Sequence, residues 1–242
     1  MIPDALEQFV LHGFILGDIL RSNNGMKPSA GPSAEHADLR VAVPNPRIQD
    51  VRLTGVAMKY CNHCGGRLEV RVPEGDNRSR FVCTNCAAVL YQNPRIVAGC
   101  VPVWQDQVLL CRRAIEPRKG FWTLPAGFME NAETMAEAAS RETLEEACAR
   151  VENLELYTLF DLPHINQVYI FFRSQLVDLN YSAGTESLEV KLFDEADIPW
   201  SELAFPTVGR TLEYFFADRQ QGIFPVRNDP VAPMVTKPFT RP

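Results

Sequence analysis

Positive charge is what this sequence has least to spare: 24 lysine and arginine residues stand against 30 aspartate and glutamate, a net charge of −6 over 242 residues. Extended nucleic-acid binding through phosphates needs a basic surface that displaces counterions, so that class is excluded as the main activity. A small anionic ligand held through a metal ion is untouched by this argument. Also lacking is any run of about twenty apolar residues, which excludes an ordinary membrane-spanning helix. Residues 1–20 have no basic start and carry Asp4, Glu7 and Asp18, unlike a secretory leader or an Arg-rich transit peptide. A cytoplasmic protein without membrane contact is expected.

Cysteine, by contrast, is present seven times, and four of the seven form two C-x-x-C pairs. That usage points to a metal site in a reducing compartment rather than a disulfide framework. Cys61-Asn62-His63-Cys64 and Cys83-Thr84-Asn85-Cys86 are separated by eighteen residues, the spacing of a zinc ribbon in which Cys61, Cys64, Cys83 and Cys86 surround one Zn²⁺. Four protein ligands close the metal, which makes it structural. Strands are expected over 67–72 and 80–82. Two free redox pairs are the competing reading, and His63 is a bystander within the first knuckle.

Composition divides the rest of the chain. Leu6, Phe9, Val10, Phe14 and Ile19 have near-helical spacing, and residues 22–57 turn to Pro, Gly, Ser, Asn and Ala. Residues 1–57 read as a disordered extension upstream of a functional product that begins near Met58. The ribbon takes residues 58–90, a larger α/β domain 91–222, and a Pro-rich, disordered tail 223–242. Within the larger domain, 96–104 and 108–112 read as a hairpin with Cys100 and Cys111 buried. Pro125 and Gly127 fix a bend that aims the Ala126 carbonyl at a metal. Further strands are expected over 154–161, 167–176 and 188–193. On the last, Leu188, Val190 and Leu192 alternate with Glu189, so Glu189 faces away from the apolar set. An amphipathic helix over 205–221 follows, with Leu212, Phe215 and Phe216 in the core.

Thr134-Met135-Ala136-Glu137 has the form of a capping box, so a helix opens near Thr134 and runs to about Ala149. Glu142, Glu145 and Glu146 crowd its last two turns, at the negative end of the helix dipole, where like charges repel. Arg141 offsets part of this through Glu137 and Glu145, four residues away on either side, and leaves Glu142 and Glu146 unpartnered. A hard divalent cation, Mg²⁺ or Mn²⁺, explains such a cluster of oxygen donors. A solvated charged face is the alternative.

Gly127, Glu133, Arg141, Glu142, Glu145 and Glu146 resemble, at the right spacing, the Nudix box G-x5-E-x7-R-E-U-x-E-E-x-G-U, with U a bulky aliphatic. Thr143 and Ala149 depart mildly, and Cys148 replaces the late glycine, which implies a different C-cap. The ribbon followed by the box resembles the ribbon-containing Nudix hydrolases. That resemblance implies an α/β/α sandwich around a mixed sheet. It implies Mg²⁺ or Mn²⁺ on the Ala126 carbonyl, Glu142, Glu145, Glu146 and Glu189, with Glu145 or Glu189 as base and Glu186 as the alternative to Glu189. Arg141 orients the carboxylates.

The NADH pyrophosphatases of this branch carry a SQPWPFPxS segment that Asp161–Gln167 does not match. The frames YQNPR, WTLPAGFME and ESLEVKLF resemble the FAD and ADP-ribose pyrophosphatases instead. The resemblance therefore implies hydrolysis of FAD or ADP-ribose, with NADH or NAD-cap decapping as an alternative and a homodimer as the family's frequent state. Tyr91, Phe121 and Trp122 are candidates to stack on adenine or flavin, with Arg95 as a further substrate-binding residue; core packing is the competing reading for these aromatics. A non-catalytic nucleotide sensor is the reading from another class.

Overall fold

A computed structural model of the chain describes residues 58–230. The expected extension over 1–57 and residues 231–242 lie outside the described residues. A first sheet runs β1 (Leu68–Arg71), β2 (Arg80–Cys83), β3 (Val89–Leu90), all antiparallel. Its buried apolar complement is little more than Cys61, Phe81, Val82 and Cys83. So small a core leaves the four cysteines to hold the module together.

The second sheet begins with β4 (Arg95–Trp104) and β5 (Gln107–Arg113). They form the expected hairpin but pair only at Val103↔Val108 and Trp104↔Gln107. Beyond those residues the two strands part, and their freed backbone groups need other partners. β6 (Trp122–Thr123) pairs with β5, and β7 (Ala126–Phe128) pairs with β4. The bend at Pro125 is thereby wedged into the opened end of the sheet, where the Pro125 carbonyl accepts from the Cys100 N–H at 3.1 Å.

After α1 (Met135–Ala147) come β8 (Val151–Leu162), β9 (Gln167–Leu176), β10 (Ser187–Phe193), α2 (Pro206–Gln221) and β11 (Arg227–Pro230). The strand order is β10-β5-β4-β9-β8-β11, with β4/β9 and β8/β11 parallel and the other neighbours antiparallel. Alternation along the central strands sets the layers. Ala98 and Cys100 of β4 and Ile170 and Phe172 of β9 pack with Ala138 and Ala139 of α1. Val101 and Phe171 pack with Val208, Leu212, Phe215 and Phe216 of α2. One helix covers each face, so the expected α/β/α sandwich around a mixed sheet is what the chain forms. Cys100 and Cys111 are buried as small apolar groups.

The expectation of a disordered tail from residue 223 is corrected for residues 223–230. Phe224 packs on Tyr157 and Phe215, and Arg227 pairs with the buried Asp218. Tyr214 donates to Asp229, and β11 joins β8. A Pro-rich composition did not reveal these anchors because their partners lie on α2 and β8, outside the tail itself.

Candidate active site

The helix that carries the acidic residues starts as its sequence dictates. The Thr134 hydroxyl accepts the Glu137 N–H at 3.2 Å, and the Glu137 carboxylate accepts the Thr134 N–H at 2.7 Å. Glu137 is thus committed to the cap, which corrects its expected pairing with Arg141. Arg141 instead forks onto Glu133 at 2.7 and 3.0 Å, onto Glu142 at 2.7 Å and onto Glu145 at 3.2 Å. It also donates to the Phe128 carbonyl at 3.2 Å, tying the helix to β7. Glu142, expected to lack a partner, is therefore held by its own neighbour. The Arg141 guanidinium and the Glu130 N–H draw the Glu133 carboxyl down to about 2.

Glu146 is the buried acid of the cluster, 6% exposed. Its carboxylate accepts the Ala126 N–H at 3.2 Å. Burial pushes its pKa up to about 8, with Glu142 and Glu186 adding repulsion against the pull of Ala126 and Arg113. Burial likewise raises Glu142, which Arg141 opposes and which Glu145 and Glu186 reinforce. Gly127 leaves room for the Glu142 carboxylate: a Cβ there would lie 2.3 Å from its carboxyl carbon and would displace that side chain.

These groups line one cleft of about 1290 Å³. Of the residues expected from sequence, Arg95, Ala126, Arg141, Glu142, Glu145 and Glu146 line it. Four others do not. Tyr91 is exposed beneath the Arg80 guanidinium, Phe121 stacks with Arg118, and Trp122 is buried edge-on against Phe193. Glu189 pairs at 3.8 Å with Arg112 outside the cleft, and the acid on the wall is Glu186. Glu189 does alternate with Val190 and Leu192, but it sits opposite Arg112; the register shift between Ser187 and Glu189 leaves Leu188 exposed, and Glu186 reaches the cleft from just before the strand.

Sequence reasoning also missed Arg113, Tyr169 and Phe205, all on the wall. Arg113 lies over the Phe205 ring at 5.2 Å, and its Nε donates to the Pro117 carbonyl at 2.9 Å. A signal existed: an arginine ending β5 lies at the same end of the sheet as Arg95, which opens β4, since the two strands are antiparallel.

Among the described residues, the only group bringing three or more thiol, imidazole or carboxylate donors within 4.8 Å of one another is Cys61, Cys64, Cys83 and Cys86. Sulfur separations of 3.8 Å (Cys61 to Cys86) and 3.5 Å (Cys64 to Cys83) suit the edges of a tetrahedron with metal–sulfur bonds of about 2.3 Å. N–H groups of His63, Asn85 and Cys86 point at the sulfurs, as thiolates require. The His63 side chain is not part of the set. The carboxylates fit a hard divalent cation by their donor chemistry, all oxygen and mutually repelling, rather than by closure around a point.

A cleft lined by an acid-bearing loop–helix unit within a split mixed sheet defines a Nudix hydrolase. The chain matches the NUDIX domain over residues 93–217 and the zinc ribbon described as Nudix N-terminal over residues 59–92, and it belongs to the Nudix family. It is similar to the NAD-capped RNA hydrolase of Edwardsiella ictaluri, 29% identical over 141 residues, 57% of this chain and 50% of that protein. The NAD-capped RNA hydrolase of Shigella flexneri is 28% identical over 141 residues, with the same shares covered. The chain thus spans about half the length of the curated relatives it matches. A crystal structure of a NUDIX hydrolase from Nitrosomonas europaea is 50% identical, with TM-score 0.68, covering 72% of this chain and all of that one.

Proposed function

We propose that the protein is a metal-dependent pyrophosphatase acting on a nucleoside diphosphate joined to a second moiety, with FAD (to FMN and AMP) or ADP-ribose (to AMP and ribose 5-phosphate) as substrate. The observation that carries this reading is that Glu142, Glu145, Glu146 and Glu186 line one cleft with the Ala126–Gly127 bend, where burial raises Glu142 and Glu146 and the charge of Glu186 raises both further. Glu142, Glu145, Glu146 and Glu186, with the Ala126 carbonyl, would hold Mg²⁺ or Mn²⁺. Such an ion neutralises phosphate charge and supplies a water of lowered pKa. The four cysteines would hold a structural Zn²⁺.

The chain's own groups do the rest. Arg141 locks Glu142 and Glu145 in orientation and takes no proton, since guanidinium stays charged. Glu186 or Glu145, both on the cleft wall, receives the proton from the attacking water. Arg95, stacked on Phe128, and Arg113, stacked on Phe205, offer forked donors to the diphosphate. A volume of about 1290 Å³ exceeds the roughly 300–1,000 Å³ of ordinary small-ligand pockets and has room for a dinucleotide.

A second reading, hydrolysis of NADH or of an NAD cap on RNA, is favoured by the similarity to NAD-capped RNA hydrolases. Leu162, His164, Ile165 and Gln167 line the cleft within the segment that departs from the nicotinamide enzymes' pattern, and this favours the first reading. The test is AMP release from FAD, ADP-ribose, NADH, NAD⁺ and NAD-capped RNA with Mg²⁺ or Mn²⁺. Glu146→Gln and Glu186→Gln are expected to cut kcat by at least about 100-fold and Glu189→Gln by less than about threefold. A Glu146 variant keeping more than about a tenth of the rate, only ~1.4 kcal/mol of barrier, removes that residue from the site. Nucleotide binding without any product release would favour a sensor.

A further inference from the structure

The segment after β9 is docked onto the last turn of α1 by backbone hydrogen bonds, with Tyr181 packed on the cluster that holds Ala147 and Ala149. The Ser182 N–H donates to the Ala147 carbonyl at 2.9 Å, and the Gly184 N–H donates to the Glu146 carbonyl at 3.0 Å. The Ser187 N–H turns back to the Gly184 carbonyl at 3.1 Å, and the Ala114 N–H fixes the Glu186 carbonyl at 2.8 Å. At Gly184 the approach is closest. A Cβ built there would lie 1.8 Å from the Glu145 carbonyl oxygen, 2.9 Å from its carbon and 3.1 Å from the Glu146 oxygen. Gly184 is not among the glycines with positive φ, so the demand is for space rather than for a left-handed conformation. No side chain can yield here, because every obstructing atom belongs to the helix backbone.

We infer that Gly184 is a positioning residue for the catalytic centre: its missing Cβ lets the 182–187 segment sit against α1 and so sets Glu186 opposite Glu142 and Glu146. The three acids come from two segments far apart in the chain, and this contact is what registers one against the other. Any larger residue must back the segment off by more than ~1 Å, and displacements of that size in a catalytic constellation cost about 100-fold in rate. The inference rests on the proposed pyrophosphatase reading, in which Glu186 belongs to the centre.

The experiment compares wild type, Gly184→Ala, Glu186→Gln and the double variant with the best substrate of the panel, as a function of Mg²⁺. Gly184→Ala is expected to lower kcat about 100-fold and to raise the Mg²⁺ concentration for half-activation, with KM within about threefold. The double variant is expected to be little slower than Glu186→Gln alone, because Glu186 is already displaced. Multiplied losses in the double variant, or a Gly184→Ala enzyme of normal kcat, overturn the inference while leaving the function intact. A wild type that hydrolyses no diphosphate overturns the function instead. Should Gly184→Ala not fold, Ser182→Pro, which removes the donor to Ala147 and also fixes the backbone at 182 and restricts Tyr181, replaces it with the same non-multiplied loss expected.

Discussion

Cys148 ends α1 in the left-handed region, φ 48°, at the position where the Nudix box has glycine. The conformation of the box is kept without the residue that adopts it freely, and a Cβ in that region costs roughly 1–2 kcal/mol. Cys148→Gly is therefore expected to stabilise the protein by about 0.5–1 kcal/mol, glycine's extra freedom in the unfolded chain returning part of the gain. Urea unfolding measures it, and an unchanged or lower midpoint would count against the cost assigned to this backbone. Single residues also mark the limit of what the sequence discloses. Arg141, Glu142, Glu145 and Glu146 were legible because helix spacing fixes them relative to one another, and Glu133, just before the N-cap, through the spacing of the box. Glu186 was legible only as the alternative to Glu189, because it precedes β10 across a register shift that no local signal announces. Trp122 and Phe121 read as core or as stacking platforms; Trp122 is core, held by β6 against β5, whereas Phe121 lies outside the core under Arg118.

Among elements, α1 and α2 were legible nearly to the residue, since a capping box opens the first and Pro206 the second. β11 was invisible because its stability comes from elsewhere. Asp218 of α2 accepts from the Tyr157 hydroxyl of β8 at 2.8 Å and pairs with Arg227 of β11, joining three elements in one buried network. Burial, followed by the nearby Asp218 carboxylate, raises the Tyr157 phenol above its ordinary value, and burial does the same to Tyr169. The sign follows from proton counting. Above about pH 10 the unfolded chain gives up phenolic protons that the folded protein retains, so the folded state holds more protons and loses stability as pH rises. Each retained proton contributes about 1.4 kcal/mol per pH unit to that slope. Tyr157→Phe is expected to be less stable near neutrality, through loss of the bond to Asp218, yet to show a slope between pH 10 and 11 shallower by about 1 kcal/mol per unit, since the unfolded phenol is only partly ionised there. Equal slopes in the two proteins, measured by chemical denaturation across the pH series, would mean that Tyr157 ionises freely while folded.

At the scale of the whole molecule, the described chain holds two sheets of very different means. The larger is sealed on both faces by helices, and its main cluster gathers Val101, Leu110, Tyr157, Phe171, Leu212, Phe215 and Phe216, all essentially inaccessible. The smaller has three short strands and leaves Tyr60, Val70, Val72 and Tyr91 half or more exposed. An apolar core of that size does not offset the entropy of ordering its strands, so its folding free energy must come largely from four thiolates closing on one ion. The two sheets should then lose structure under different conditions. Removal of zinc with a strong chelator is expected to expose the amides of β1, β2 and β3 to rapid hydrogen exchange. Those of β4, β5, β8 and β9 should stay protected, and the main thermal transition should move by no more than a few degrees. Metal analysis of the untreated protein should find one zinc per chain, and restoring zinc should return protection to the ribbon strands. Protection that survives complete removal of the ion would mean that the small sheet is held by contacts other than its cysteines. A main transition that collapses together with the ribbon would mean that the metal stabilises the hydrolase sheet as well, and that the two are one cooperative unit.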